Sequence, residues 1–255
     1  MSKMNFLNTA VDNITMDQAI SAIDNLILIR ENSYIVTPNV DHIVRIESDT
    51  EFREIYDNAS LVLTDGQPLI WISKLLKTPI VEKVSGSDLF PKVCELAALK
   101  GYTMYFLGAA EGVADIAAAK LKKIYPGLKV VETYSPSFGF EKDALEAERI
   151  IKKVIDAQPD ILVLALGTPK QEKFYYKYRT QFNVPLVLAV GASIDFVAGN
   201  IKRAPKWVSS YGFEWLYRLC KEPRRLFRRY IIDDMKIFRI VWKYRKRKYL
   251  NEDIN

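Results

Sequence analysis

The sequence predicts an α/β fold in which helices cover both faces of a mostly parallel sheet, with a basic helical appendage at the C-terminus. Through the first 200 residues, apolar runs that end in turn residues alternate with segments of helical periodicity. Strands that are apolar on both faces are typical of a parallel sheet covered by helices. Beyond residue 200 the chain becomes basic and rich in aromatic residues. We therefore predict an α/β domain at residues 1–200 and an appendage at residues 201–255.

Six runs of apolar or β-prone residues are predicted to form the strands, and most of them end in glycine, proline or aspartate. They lie at residues 33–37, 61–64, 102–107, 129–134, 161–166 and 184–190. Helices are predicted where apolar residues recur three and four positions apart, at residues 16–27, 40–56, 68–76, 112–124 and 169 onwards. One more helix is predicted to run to Leu99 from an N-cap at Ser87 or Asp88. Strands and helices alternate as in a Rossmann-like fold.

The positive charge of the chain is concentrated in the appendage. Residues 201–255 hold 16 lysine and arginine residues against 6 acidic ones, whereas the first 200 residues are slightly acidic. A local basic block favours contact with an anionic surface or ligand near the C-terminus. Two stripes at helical spacing stand out there. The apolar stripe comprises Phe227, Ile231, Met235, Phe238 and Trp242, and the basic stripe comprises Arg228, Lys236, Arg239, Lys243 and Lys246.

Two interpretations of this amphipathic helix are open at the level of the pattern. The helix could lie on an anionic membrane surface, or it could pack on the core and leave a solvated basic face. The first ten residues lack the apolar core of a signal peptide, and no uncharged run is long enough to span a membrane. Cys94 and Cys220 form neither a disulfide framework nor a metal pattern, which favours a reducing cytoplasm.

Polar residues and glycines follow the predicted strands, at the edge where ligands of open α/β sheets bind. Asp65 follows the second strand and could serve as a general base, although an Asp-Gly turn alone would also place an aspartate there. Thr37, Asn39 and Gln171 follow other strands. Three further turns contain glycines whose neighbouring N–H groups suit a diphosphate. These turns are Gly108–Ala109, Gly167–Thr168 and Gly191 with the nearby Asp195.

A Ser-Gly-Ser turn at residues 85–87 opens a predicted helix and could hold an anion, although a plain N-cap would use the same residues. Several other chemistries are disfavoured. A single histidine, His42, excludes a multi-histidine metal site. His42 could face the site, although a lone histidine is more often a helix residue with no chemical role. The sequence has no Asp-x-Asp metal clamp, and residues 108–112 do not match G-x-G-x-x-G.

Several motifs, taken together and in order, resemble those of the WecG/TagA/CpsF glycosyltransferases. They are Thr37-Pro38-Asn39, Thr64-Asp65-Gly66, Val84-Ser85-Gly86-Ser87-Asp88, Leu166-Gly167-Thr168-Pro169-Lys170-Gln171-Glu172, Val190-Gly191-Ala192 and Arg203-Ala204-Pro205. The resemblance implies inverting transfer of a sugar from a UDP-sugar to a lipid-diphosphate-linked acceptor in cell-surface polymer synthesis. It also implies that no metal or other cofactor is needed and that a C-terminal appendage meets the membrane. Lys83 departs from the arginine expected before Val84, and lysine lacks the bidentate fork.

On this basis Asp65 is predicted to remove the proton from an acceptor hydroxyl, while Thr37, Asn39 and Gln171 position the sugars. The other residues predicted to bind substrate are Lys83, Ser85, Gly86, Asp88, Gly108, Ala109, Gly167, Thr168, Gly191, Asp195 and Arg203, with Arg218, Arg224, Arg225 and Arg228 if the appendage folds over the site. The expected partners are a UDP-sugar, undecaprenyl-diphosphate-linked N-acetylglucosamine and the cytoplasmic membrane leaflet. The protein is therefore expected to be cytoplasmic and peripheral on the inner face of the cell membrane.

The donor sugar that the resemblance favours is N-acetylmannosamine, with glucose and N-acetylmannosaminuronic acid as alternatives. Two other classes of function were weighed on the residues. A nucleic-acid-binding module that uses the basic aromatic appendage would bind with a steep salt dependence, but it would leave Asp65 and Gln171 without a purpose. A nucleotide-dependent oxidoreductase is disfavoured by the missing glycine motif. No nucleic-acid partner is expected, and self-association is permitted although no feature specifies it.

Overall fold

A computed structural model gives the architecture of the chain. It describes residues 3–205, 208 and 211–252, with the backbone alone described at residue 225 and at residues 246–252. The strands are β1 Lys3–Phe6, β2 Thr9–Asp12, β3 Ser33–Val36, β4 Leu61–Val62, β5 Thr103–Gly108, β6 Lys129–Tyr134, β7 Ile161–Ala165 and β8 Leu186–Ala189. The α-helices are α1 Met16–Ile29, α2 Val40–Ser48, α3 Thr50–Asp57, α4 Gln67–Leu75, α5 Gly86–Lys100, α6 Val113–Ile124, α7 Ala144–Ala157, α8 Lys170–Tyr178, α9 Ser193–Ala198, α10 Glu214–Lys221, α11 Pro223–Phe227 and α12 Ile237–Glu252.

Strands β3 to β8 form one six-stranded sheet in which every neighbouring pair is parallel. The strand order is β4-β3-β8-β7-β5-β6. Strands β1 and β2 form a separate antiparallel hairpin, which was not predicted. The predicted α/β fold is confirmed. Because the strands of the sheet are parallel, their carboxyl ends meet at one edge, where the predicted site residues lie.

Side chains alternate along each strand between two hydrophobic clusters, one on each face of the sheet. On β7, Leu162 and Leu164 pack with residues of α2, α3, α7 and α8, whereas Ile161 and Val163 pack with residues of α1, α5, α6 and α9. All four side chains are buried. Full burial of each contributes about 2 kcal/mol to folding. Helices therefore cover both faces, as the continuous apolar strands predict.

Local capping moves two of the predicted helix boundaries. The helix predicted at residues 40–56 is two helices, because Asp49 ends α2 and caps α3 by accepting a hydrogen bond from Phe52 N–H at 3.0 Å. The N-cap predicted at Ser87 or Asp88 is wrong. The cap is Ser85, whose Oγ accepts a hydrogen bond from Asp88 N–H at 3.3 Å, so that α5 already begins at residue 86.

The appendage packs against the domain through α12. Ile237, Ile240 and Val241 are buried in the same cluster as the apolar side chains of α2 and α8. Between α11 and α12 the chain forms a π turn, Arg228–Asp233, and a 3₁₀ turn, Asp234–Lys236, so the predicted helix is not continuous. The predicted apolar stripe lies outside the core, with its five side chains between 42% and 66% exposed. None of the described helices combines the length and apolar character needed to cross a bilayer.

Candidate active site

The carboxyl edge of the sheet brings most of the predicted site residues into one row. In the order of the strands, Asp65 follows β4, Thr37 and Asn39 follow β3, Gly191 follows β8, Gly167 follows β7 and Gly108 ends β5. Neighbouring strands lie about 4.8 Å apart, so roughly 19 Å separates the β4 end of the row from the β5 end. The edge can therefore accommodate an extended ligand.

Asp65 is half-buried at the β4 end of this row. Its N–H donates to Pro38 O at 2.8 Å, which joins the β4 loop to the β3 loop, and its carboxylate accepts a hydrogen bond from Gly86 N–H. Burial raises the pKa of Asp65 to about 6, while Lys83 opposes this rise and Glu214 of α10 adds to it. Such a carboxylate is ionised at neutral pH and has a pKa suited to accepting a proton from a hydroxyl.

Thr37 and Gly86 face each other across the start of α5. A Cβ at Gly86 would lie 3.1 Å from Thr37 Oγ1 and 3.4 Å from Val190 Cα. Glycine at this position lets α5 begin against the loops that follow β3 and β8. As a result Thr37, Asp65 and the first turn of α5 are next to one another.

Asp88 forms ion pairs with two of the predicted cations, Lys83 and Arg203. Its carboxylate lies 3.4 Å from Lys83 Nζ and 3.0 Å from Arg203 Nη2, and it accepts a hydrogen bond from Ser85 Oγ at 2.6 Å. Burial opposes ionisation, but these partners hold the pKa of Asp88 below its ordinary value. The four residues therefore form one cluster in which an ionised carboxylate orients a lysine and an arginine.

Two arginines from beyond residue 200 flank Phe196 of α9, the residue after Asp195. The guanidinium carbons of Arg203 and Arg218 lie 5.6 and 5.4 Å from the centre of its ring, within the range of cation–π attraction. Arg218 Nε is buried and has no hydrogen-bond partner in the part of the chain that the structure describes. A buried N–H of this kind favours the arrival of an anionic ligand, which would satisfy it.

Gly108 is fixed by a close approach of β5 to β7. Its φ is +117°, and a Cβ there would lie 2.4 Å from Ala165 O. The N–H of Ala109 donates to the same oxygen at 2.9 Å, so this N–H is engaged by the sheet. Gly167 and Gly191 also have positive φ, but open space surrounds their Cβ positions.

The Gly108→Ala variant is expected to lose roughly 3 kcal/mol of unfolding free energy, because the new Cβ meets a backbone oxygen that cannot turn away. Gly167→Ala is the matched control, since it places a Cβ at φ +78° in open space, and it should lose only about 1 kcal/mol. Urea denaturation of both variants measures the difference. Equal losses would contradict the steric account.

Gln171 and Thr168, which follow β7, are joined through a buried glutamate. Gln171 Nε2 and Thr168 Oγ1 each donate to Glu172 Oε1 at 2.9 Å. Gln171 Oε1 is buried and finds no hydrogen-bond partner among the described residues. The network therefore orients the Gln171 amide and leaves its Oε1 without a protein partner among the described residues.

Comparison with known proteins decides the family. The model of the glycosyl transferase WecG/TagA/CpsF family matches residues 4–251. The chain belongs to this family. It is similar to N-acetylglucosaminyldiphosphoundecaprenol N-acetyl-beta-D-mannosaminyltransferases from three bacteria. The identity is 31% with that of Bacillus spizizenii (76% of this chain, 74% of the relative), 30% with that of Bacillus subtilis (69% and 67%), and 27% with that of Staphylococcus aureus strain MW2 (89% and 88%).

In this WecG/TagA/CpsF glycosyl transferase, Arg229 reaches the site, although its neighbours Arg225 and Arg228 were the residues predicted to do so. Its Nη2 lies 3.3 Å from Asn39 Oδ1 and 3.7 Å from Asp41 Oδ2. Arg224 and Arg228 are exposed, and only the backbone is described at Arg225, so the roles of these three stay predictions. Residues 221–229 hold five arginines and lysines, and no local signal in the sequence distinguishes the one that turns inward.

The appendage also packs against the start of α4, the helix that follows Asp65. Gly212 has φ +81°, and a Cβ there would lie 2.4 Å from Gln67 Cγ and 2.8 Å from Trp71 Cζ2, in the first turns of α4. Two residues later, Glu214 begins α10 and acts on the pKa of Asp65. Gly212 and Glu214 were not predicted to contribute to the site. Their proximity to Asp65 depends on how the appendage packs against the α/β domain.

Proposed function

We propose that this glycosyl transferase moves N-acetylmannosamine from a UDP-sugar to undecaprenyl-diphosphate-linked N-acetylglucosamine, with inversion, during the synthesis of a cell-surface polymer. The names of the three relatives above support the transferred sugar and the acceptor. The observation in this chain that carries the proposal is Asp65, a half-buried carboxylate with a pKa of about 6 at the ligand-binding edge of a parallel sheet.

In the reaction, Asp65 accepts the proton of the acceptor hydroxyl as that oxygen attacks the anomeric carbon of the donor sugar. The bond between the anomeric carbon and the UDP oxygen breaks on the opposite face, so the configuration inverts. UDP departs with an additional negative charge. Preorganised donors and cations would stabilise that charge as it develops.

The cations available for this task are those already placed near the edge. Lys83 and Arg203 are held by Asp88, and Arg218 carries a buried Nε without a partner among the described residues. Thr37, Asn39 and Gln171 would position the sugars by hydrogen bonds. The Gln171 amide and the Asn39 amide are suited to this because neighbouring residues fix their orientation.

The appendage would hold the enzyme at the inner face of the cell membrane, where the lipid anchors the acceptor. Its exposed stripe of Phe227, Ile231, Met235, Phe238 and Trp242 is apolar and partly aromatic, and exposed basic residues neighbour it along the chain. Aromatic side chains with neighbouring lysine and arginine residues favour an anionic membrane surface. Docking through this stripe would bring the edge of the sheet and the lipid-linked sugar together.

The direct test incubates the protein with UDP-N-acetylmannosamine, its uronic acid or UDP-glucose, together with a short-chain lipid-diphosphate N-acetylglucosamine. Mass spectrometry of the product should show addition of N-acetylmannosamine, and NMR should show a β linkage. Activity should persist with EDTA, since lysine and arginine side chains of the protein would stabilise the charge on departing UDP. Transfer of glucose alone would overturn the donor assignment, and absence of transfer from every donor would overturn the proposal.

The rate of transfer is expected to depend on the ionisation of Asp65. Because its pKa is about 6, kcat/KM should rise as the pH increases through about 6 and then level off, since only the ionised carboxylate can accept the proton. A pH–rate profile with the soluble acceptor measures this limb. A profile that is flat between pH 5 and pH 7 would contradict the role of Asp65.

A further inference from the structure

His42, the single histidine of the chain, connects the loop after β3 to the loop after β7. Its Nδ1 accepts a hydrogen bond from Asn39 N–H at 3.2 Å, and its Nε2 lies 2.7 Å from Thr168 Oγ1. A backbone N–H can only donate, so Nδ1 carries no proton and Nε2 carries one. The imidazole is therefore neutral and donates to Thr168, which lies 126 positions away in the sequence.

The chain of hydrogen bonds continues from Thr168 to Glu172. Because the Thr168 hydroxyl accepts from the imidazole, its own proton is free to donate to Glu172 Oε1. The same oxygen accepts from Gln171 Nε2, and the Glu172 and Gln171 side chains are both buried. Every hydrogen bond thus has one direction of donation, which fixes the Thr168 hydroxyl and the Gln171 amide in one orientation.

The charges around His42 preserve this arrangement. Burial lowers the pKa of His42 to about 3, Asp41 and a backbone hydrogen bond with Thr37 oppose this change, and Arg229 and Arg45 add to it. Burial also raises the pKa of Glu172. The imidazole therefore stays neutral at physiological pH, and the direction of donation from Asn39 towards Glu172 does not reverse.

We propose that His42 is a positioning residue for sugar transfer, holding the Asn39 loop and the Thr168–Gln171 loop in register by a hydrogen bond from each side of its ring. His42 acts through these neighbours, which in the proposed function position the sugars. The catalytic consequence rests on the proposed function above, whereas the bridge itself rests on the geometry of the four residues Asn39, His42, Thr168 and Glu172.

His42→Gln separates this role from a structural one. His42 stands at the third position of α2, and glutamine is a favourable partner there for the N–H of the N-cap residue, so the variant keeps the capping bond to Asn39. It loses the hydrogen bond to Thr168. We expect a melting temperature close to that of the wild type, a kcat lower by about 10- to 100-fold and a donor KM changed less than about threefold.

Thr168→Val removes the bridge from its other end while keeping the shape of the side chain. If the two residues act through one bridge, the double variant His42→Gln/Thr168→Val should be no slower than the slower single variant by more than about threefold. Wild-type kcat in His42→Gln, or rate losses that multiply in the double variant, would overturn the proposal.

A spectroscopic measurement tests the bridge independently of activity. With ¹⁵N-labelled histidine, the single His42 should show one protonated and one unprotonated ring nitrogen, unchanged between pH 5 and pH 8. Thr168→Val should alter the signal of the protonated nitrogen. Titration near the ordinary histidine pKa of about 6.5 would overturn the bridge. If the wild type transferred no sugar but retained this signature, the proposed function alone would fail.

Discussion

The Asp65→Asn variant is expected to lose about 10³-fold in kcat while it binds the UDP-sugar within about threefold of the wild type. The amide cannot accept the proton of the acceptor hydroxyl, and general-base catalysis of this kind contributes about 10²- to 10⁴-fold. Its oxygen can still accept the hydrogen bond from Gly86 N–H, so the loop should keep its shape. Steady-state kinetics and calorimetric titration with the UDP-sugar measure the two quantities.

Asp57→Asn is the matched control for the loss of one negative charge. Asp57 is exposed at the end of α3, and its neutralisation should change kcat less than twofold. If Asp65→Asn retained full activity, the assignment of the base would be wrong. If both variants lost activity equally, the effect would reflect overall charge.

The Asp65→Asn variant should also be more stable than the wild type at pH 8. Burial raises the pKa of Asp65 to about 6, above the value of about 3.9 for an unfolded chain, so the ionised form is disfavoured in the folded protein. The wild type therefore loses stability as the pH rises from about 4 to 6, and the asparagine variant avoids this loss. The expected gain at pH 8 is roughly 1–2 kcal/mol, and it should disappear near pH 4.

Replacing two aromatic residues of the appendage stripe should uncouple the enzyme from membranes without stopping its chemistry. Phe238 and Trp242 are 66% and 62% exposed, and their transfer into a bilayer interface would contribute about 1.5 kcal/mol each. The double variant Phe238→Ser/Trp242→Ser should therefore bind phosphatidylglycerol vesicles about 100-fold more weakly. Turnover of a vesicle-bound acceptor should fall in parallel, while turnover of a short-chain soluble acceptor should stay within twofold.

The matched control for this experiment lies on another face of the protein. Leu28 and Ile29 of α1 are 63% and 56% exposed, so Leu28→Ser/Ile29→Ser removes a similar exposed apolar pair. Vesicle sedimentation of the two double variants compares them directly. Equal loss of binding in both, or unchanged binding of Phe238→Ser/Trp242→Ser, would refute docking through the stripe.

Local signals in the sequence predicted the elements of the fold and the residues that follow each strand. The cap at Thr15, the strand at residues 33–36 and the strand at residues 129–134 are found where the pattern placed them. These features depend on a few consecutive residues. The N-cap of α5 was missed by two or three positions, because Ser85, Ser87 and Asp88 are all suitable caps and only the fold selects among them.

Contacts between distant parts of the chain could not be predicted in this way. The sequence left open whether His42 faces the site, and it did not indicate that His42 bonds to a threonine 126 positions away or that Arg229 reaches an asparagine 190 positions away. Such pairs form only after the sheet and the appendage have assembled. A pattern of charge and apolar spacing identifies a helix face, but it does not specify which side chain on that face turns towards another loop.

The order of the strands fixes the distance between the two ends of the row of site residues at the carboxyl edge. Asp65 and Gly108 stand at strands four places apart, or roughly 19 Å. A lone monosaccharide is too short to touch both ends of the row, whereas a nucleotide with a sugar at its far end can extend along several strands. Binding of the nucleotide portion would then favour ligands long enough to reach Asp65. A sugar would lie against the carboxylate only when the rest of the donor is bound, which would limit its hydrolysis by water.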